Sequence, residues 1–190
     1  VIKIFVSQKN TIVGDIEGNF EILKKSYSEA VSQNCDFFLT SELSLTGYPP
    51  QDLLFRKDFL KKVEIFKQKI INLTKNKKTI FALSIPLSKI NEITNALLLV
   101  QSGKIIYSIQ KKILPNYGVF DEKRYFSSTQ IKTEYFNYRN KKIEFLICED
   151  MWTKDFTKKK KEKLDLIVVI NASPFEIGKF KLRQSHASKR

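Results

Sequence analysis

Residues Ile143–Trp152 read IEFLICEDMW, an apolar run that breaks into Cys148, Glu149 and Asp150. A buried cysteine is most often a small hydrophobe. One at the end of a strand, beside ionisable groups, can instead act as a nucleophile through its thiolate. Such a thiol needs a base. His186 is the lone histidine and lies in the polar tail SHASKR, so a Cys–His pair is poorly supported and a carboxylate is the better base. No CxxC or HxxxH spacing occurs, which leaves metal chemistry without a ligand set.

Three more groups share the position of Cys148, just past the end of an apolar strand: Glu42, Lys111 and Ser173. Side chains at the carboxyl ends of neighbouring strands in α/β sheets converge on one crevice. Meeting there, Glu42 could take the thiol proton and later activate water. Lys111 could stabilise the thiolate and the oxyanion of a tetrahedral intermediate. Each also has a plainer reading, Glu42 as a turn or cap residue and Lys111 as a strand-end surface charge.

The elements that must position these groups alternate in type. Val1–Ser7 alternates and is β-branched, which predicts a strand. Gly14 and Asp15 open a helix whose apolar face is Ile16, Phe20, Leu23, Tyr27 and Ala30. Cys35–Leu39 reads as a buried strand, followed by a turn through Thr46-Gly47-Tyr48-Pro49-Pro50. A second helix is predicted over Arg56–Thr74 on Phe59, Val63, Phe66, Ile70 and Leu73, then a strand over Lys78–Ile85 closed by Pro86. Asn95–Val100 and Lys104–Gln110 flank Gln101-Ser102-Gly103 as a hairpin, and Ile131–Tyr138 and Lys141–Ile147 form another about Arg139-Asn140. Between them, Leu114–Phe126 is a long polar and aromatic loop of the kind that often carries function. Leu164–Ile170 is a further strand, and a last helix starts near Gly178. Strands interleaved with helices and hairpins imply an α/β protein with mixed sheets.

The chain of 190 residues is long enough for a real core, and its 42% apolar content argues against disorder. No run approaches a membrane span, so no membrane partner is expected. The net charge of +14 is nearly all lysine, scattered along helices and gathered once in Lys158–Lys163. Without arginine and aromatics interleaved on one face, it reads as a solvated surface that favours anionic ligands by steering, not as a nucleic-acid groove. Cys35 and Cys148 each adjoin an apolar run, which reads as reduced and intracellular, hence a cytoplasmic expectation.

Four segments carry a resemblance: SELSLTGYPPQDLLFR (41–56), KKILPNYGVFDEKRYF (111–126), LICEDMW (146–152) and NASPFEIGK (171–179). They resemble the nitrilase (carbon–nitrogen hydrolase) superfamily, and within it the glutaminase domains at the N-terminus of glutamine-dependent NAD synthetases. VGDIEGNF (13–20) fits the same pattern. The resemblance implies a Glu42–Lys111–Cys148 triad, with Lys111 chosen over Lys112 because the family lysine lies three residues before Leu114-Pro115. It implies Glu122 as a supporting carboxylate and Tyr48, Tyr117, Glu149, Ser173 and Lys179 around the substrate. Lys179 would meet the α-carboxylate of L-glutamine and Glu149 its α-amino group.

The fold so implied is a four-layer αββα sandwich with mixed sheets that lacks its C-terminal strands. Residues 1–190 would form one nitrilase-like glutamine amidohydrolase domain, incomplete at the C-terminus, with no synthetase domain. The implied reaction hydrolyses glutamine to glutamate and ammonia through a cysteine thioester and needs no cofactor. ATP and Mg would belong to a synthetase domain acting in cis or in trans, whose SGGxDS-type motif this chain does not contain. A homo-oligomer is expected of the completed fold. The alternatives are a free-standing amidase or nitrilase acting on another small amide, and an inactive basic interaction fragment.

Overall fold

In the computed structural model, which describes residues 1–90, 92–128, 135–152, 163–174 and 176–188, the apolar runs form two sheets. The first holds β1 (Ile4–Ser7), β2 (Phe37–Thr40), β3 (Ile80–Lys89), β4 (Glu92–Gln101) and β5 (Lys104–Gln110), in that spatial order. Its first three strands are parallel and its last two antiparallel. The second holds β6 (Phe136–Tyr138), β7 (Lys141–Ile147) and β8 (Leu166–Ile170), with β7 antiparallel to β6 and parallel to β8. The mixed-sheet α/β architecture is the one expected from the sequence.

The period of two along each strand sends alternate residues to opposite faces. Phe38, Phe81, Leu83, Leu98 and Val100 face α1 (Ile16–Ser32) and α2 (Lys57–Leu73). Their neighbours Phe37, Leu39, Ala82, Leu97 and Leu99 face the second sheet, where they meet Ile143, Phe145, Ile147, Val168 and Ile170. Phe37 contacts the rings of Phe136, Tyr138 and Phe145 across the gap, with centroids 4.9–6.3 Å apart. Fully burying each such side chain is worth about 1.5–3 kcal/mol, so this aromatic layer is a main tie between the sheets. The last helix, α3 (Lys179–Ala187), buries none of its side chains and meets the turn after β7 through Trp152 and His186.

All five apolar positions read for α1 are buried, and Asp15 caps it by accepting the Gly18 N–H at 2.9 Å. Asn19, also on the buried face, accepts the Ile12 N–H and donates to the carbonyls of Ile12 and Leu45. That clamp fixes the loop after β2, in which Glu42 stands. Gly47 lets the same loop close. Its φ is +71°, and a Cβ there would lie 2.6 Å from the Val13 backbone.

Several boundaries differ from the sequence reading. β2 begins at Phe37 rather than Cys35, and β3 runs through Pro86 to Lys89 instead of stopping before it. Beyond Ala82 no register with β2 remains, so a residue without an N–H breaks no ladder on that side. The β4–β5 hairpin turns on two residues, not three: Gln101 pairs with Lys104, and Ser102 and Gly103 both have positive φ. Part of the strand expected over Ile131–Tyr138, and most of the Lys158–Lys163 run, lie outside the described residues.

Candidate active site

Four strand ends deliver the candidate groups. Glu42 lies two residues past β2, Lys111 directly follows β5, Cys148 directly follows β7, and Ser173 lies three residues past β8. Lys111 is fully buried and Glu42 is 1% exposed, so neither is the turn or surface charge of the plainer readings. A buried ammonium is tolerable only when paired. Here Lys111 Nζ donates to Glu42 Oε1 and to Glu122 Oε1, each at 2.7 Å.

The two carboxylates have further donors. Glu42 Oε1 accepts Asn95 Nδ2–H at 2.8 Å, and Glu42 Oε2 accepts the Ala172 N–H at 3.2 Å. Glu122 Oε1 accepts the Tyr48 hydroxyl at 2.8 Å. Asn95 also touches the lysine through its backbone, since its carbonyl accepts the Lys111 N–H at 2.8 Å. Base candidate and ammonium are thus held by one residue of β4. Asn95 was not singled out from the sequence, although an amide in the apolar run of β4 was a signal to follow.

Cys148 is buried and has φ +44°, a left-handed conformation that non-glycine residues rarely adopt. The strand-to-turn bend stores backbone strain at the thiol, as is common where a side chain is aimed into a site. Its Sγ lies 3.5 Å from Ser173 Oγ. Burial, reinforced by the Glu42 charge and opposed by Lys111, pushes the thiol pKa up to about 12. The sulfur is therefore protonated at neutral pH, and a nucleophilic role for it would require a base.

Burial alone would weaken the Lys111 ammonium, but Glu42 and then Glu122 outweigh it and hold its pKa above the ordinary value. Glu122 goes the other way. Burial raises it to about 7 against the pull of Lys111, and the negative charge of Glu42 adds to the rise. Burial, followed by the charges of Glu122 and Glu42, also holds the Tyr48 hydroxyl well above its usual range, so it remains a donor.

The remaining predicted residues divide. Tyr117 and Glu149 come together at the surface: the Tyr117 hydroxyl donates to both Glu149 oxygens at 3.0 and 3.1 Å. The Tyr117 and Tyr48 rings both approach Phe120, with centroids 5.6 and 6.4 Å away. The Lys179 ammonium, at the start of α3, is turned to Glu176 at 3.0 Å rather than to Glu149 or Cys148. Asp150, for which the sequence offered no role, is buried and accepts the N–H groups of Lys112 and Ile113.

The arrangement can support acyl transfer: a thiol, a carboxylate that shares its environment, and a permanently charged N–H donor. Among the described residues, no group of three or more His, Cys, Asp or Glu side chains could hold a metal ion, and no helix is long and apolar enough to cross a membrane.

The sequence profile of carbon–nitrogen hydrolases matches residues 4–189, and the chain belongs to that family. Its relatives narrow the branch. It is 35% identical to the glutamine-dependent NAD(+) synthetase of Aquifex aeolicus, over all of this chain and 33% of that protein. It is 33% identical to the enzyme of the same name from Synechocystis sp., over 98% of this chain and 37% of that protein. The chain therefore spans about a third of the length of these curated relatives.

Solved structures agree on the fold. The glutamine-dependent NAD+ synthetase of Acinetobacter baumannii superposes with a TM-score of 0.90 at 29% identity, over 99% of this chain and 35% of that one. An amidase from Nesterenkonia sp. superposes at 0.84 with 18% identity, over 98% of this chain and 71% of that one, which speaks for the fold alone.

Proposed function

We propose that this domain hydrolyses the side-chain amide of L-glutamine and supplies the ammonia to NAD synthesis in a synthetase domain, in cis or in trans. The observation that carries the reading is the buried Glu42–Lys111–Glu122 unit beside Cys148. The relatives named glutamine-dependent NAD(+) synthetase support the choice of glutamine.

The geometry supports the following steps. Glu42 takes the thiol proton as Cys148 Sγ attacks the amide carbon, which forms the C–S bond and places negative charge on oxygen. Lys111 has three N–H donors, of which Glu42 and Glu122 take two, so one remains for that oxygen. Glu42 then returns its proton to the leaving nitrogen, the C–N bond breaks, and ammonia departs from a γ-glutamyl thioester. Water, deprotonated by the same carboxylate, attacks the thioester to give glutamate and the free thiol. Glu149 and Tyr117 would hold the α-amino end at the rim, and Lys179 would have to leave Glu176 to reach the α-carboxylate.

Within this reading the reaction needs no cofactor, ATP and Mg serve the synthetase domain, and the protein works as a homo-oligomer in the cytoplasm. The free-standing amidase is the competing enzyme. Ammonia release by the full-length protein from glutamine, asparagine and simple amides separates the two. A preference for glutamine supports the proposal, and a preference for an amide lacking the amino-acid end contradicts it.

A further inference from the structure

We propose that Asp150 is a positioning residue that locks the strand end bearing Lys111 to the turn bearing Cys148. The proposal rests on the reading of those two residues as catalytic. The β4–β5 ladder ends where Asn95 O accepts the Lys111 N–H. The next two residues, Lys112 and Ile113, leave the ladder and are partly buried. Asp150 Oδ1 accepts both, Lys112 N–H at 3.0 Å and Ile113 N–H at 2.9 Å. Asp150 itself stands in the single turn Cys148–Met151, two residues after the nucleophile. One side chain, 3% exposed and borne by the turn of Cys148, therefore holds the backbone that follows Lys111.

The chemistry of the grip is specific. Charge-assisted hydrogen bonds from N–H groups to a carboxylate are shorter and roughly twice as strong as neutral ones. Cys148 sits in a left-handed conformation, so its turn gains from an anchor two residues on. The Lys111 side chain is already fixed at its tip by two carboxylates. Asp150 fixes its root, which leaves the ammonium little freedom relative to the sulfur. Asn in this place would keep an acceptor but not the charge, and Ala would remove the acceptor altogether.

The test compares D150A and D150N with the parent in the full-length protein, by glutaminase kinetics, iodoacetamide alkylation of Cys148 and thermal unfolding. Misplacing reacting groups by about 1 Å costs on the order of 100-fold, so D150A is expected to lose about that in kcat. KM should stay within about 3-fold, since the substrate's own contacts are intact. Alkylation should slow in parallel, and D150N should recover part of the loss while staying about 3- to 10-fold below the parent in kcat. A folded D150A with parent kcat and alkylation rate overturns the proposal, as does a loss confined to KM. If D150A does not fold, a folded D150N indistinguishable from the parent overturns it. Failure of both variants to fold assigns Asp150 to the fold and overturns it as well. A parent inert towards glutamine refutes the glutamine reading instead, while the alkylation rates still judge Asp150.

Discussion

Replacing Lys111 by Met removes the charge between Glu42 and Glu122 while nearly preserving volume. Two carboxylates that each held a 2.7 Å bond to the ammonium would then face one another without it. Removing one partner of a buried ion pair costs about 3–5 kcal/mol, because the charge left behind is neither solvated nor paired. Glu122 can escape part of that cost by taking up a proton. Burial already lifts Glu122 to about 7 from an ordinary value of 4.5, and losing Lys111, whose charge opposes that rise, lifts it further. A carboxyl whose folded pKa lies above its unfolded one binds more protons in the folded state, so stability falls as pH rises through that interval.

K111M should therefore be destabilised by about 3–5 kcal/mol at pH near 8, with the gap to the parent narrowing by roughly half or more towards pH 5. Urea unfolding of both proteins at the two pH values measures it. A gap below about 1 kcal/mol at high pH, or one indifferent to pH, would refute the claim that Lys111 neutralises buried carboxylates.

Two further outcomes follow from the same geometry. The ultraviolet difference titration of parent against C148S should show no thiolate step below pH 9, because burial and Glu42 hold the Cys148 thiol near 12; a step near neutrality would contradict the need for a base. N95A should lower kcat by roughly 10- to 100-fold with a smaller change in KM, since it loses one of the bonds that orient Glu42 Oε1; parent-like kcat in a folded N95A would mean that Lys111 and Ala172 suffice.

What could be read from the residues beforehand was whatever local periodicity encodes. The faces of α1 and α2 follow from steps of three and four, and Phe20, Leu23, Phe59 and Val63 are buried as that spacing required. The candidate groups were legible for a related reason: Glu42, Lys111 and Cys148 each mark where an apolar strand stops. Long-range partners were not legible. Asn95 meets Glu42 across 53 residues and Asp150 meets Ile113 across 37, and nothing local to either residue specifies its partner. Pro86 misled because a proline ends a central strand only where its N–H would enter a ladder, which depends on how far β2 extends. Lys179 shows the opposite limit, since a side-chain turn towards Glu176 is decided by a neighbour three residues away.

In the proposed reaction Cys148 Sγ is the atom that attacks glutamine. A glutamine analogue carrying a diazoketone in place of the side-chain amide, incubated with the full-length protein and mapped by peptide mass spectrometry, addresses it directly. One adduct on the peptide containing Cys148, blocked by L-glutamine and matched by loss of ammonia release, is the predicted result. Modification of Cys35 alone, or undiminished ammonia release from protein fully labelled at Cys148, would contradict it.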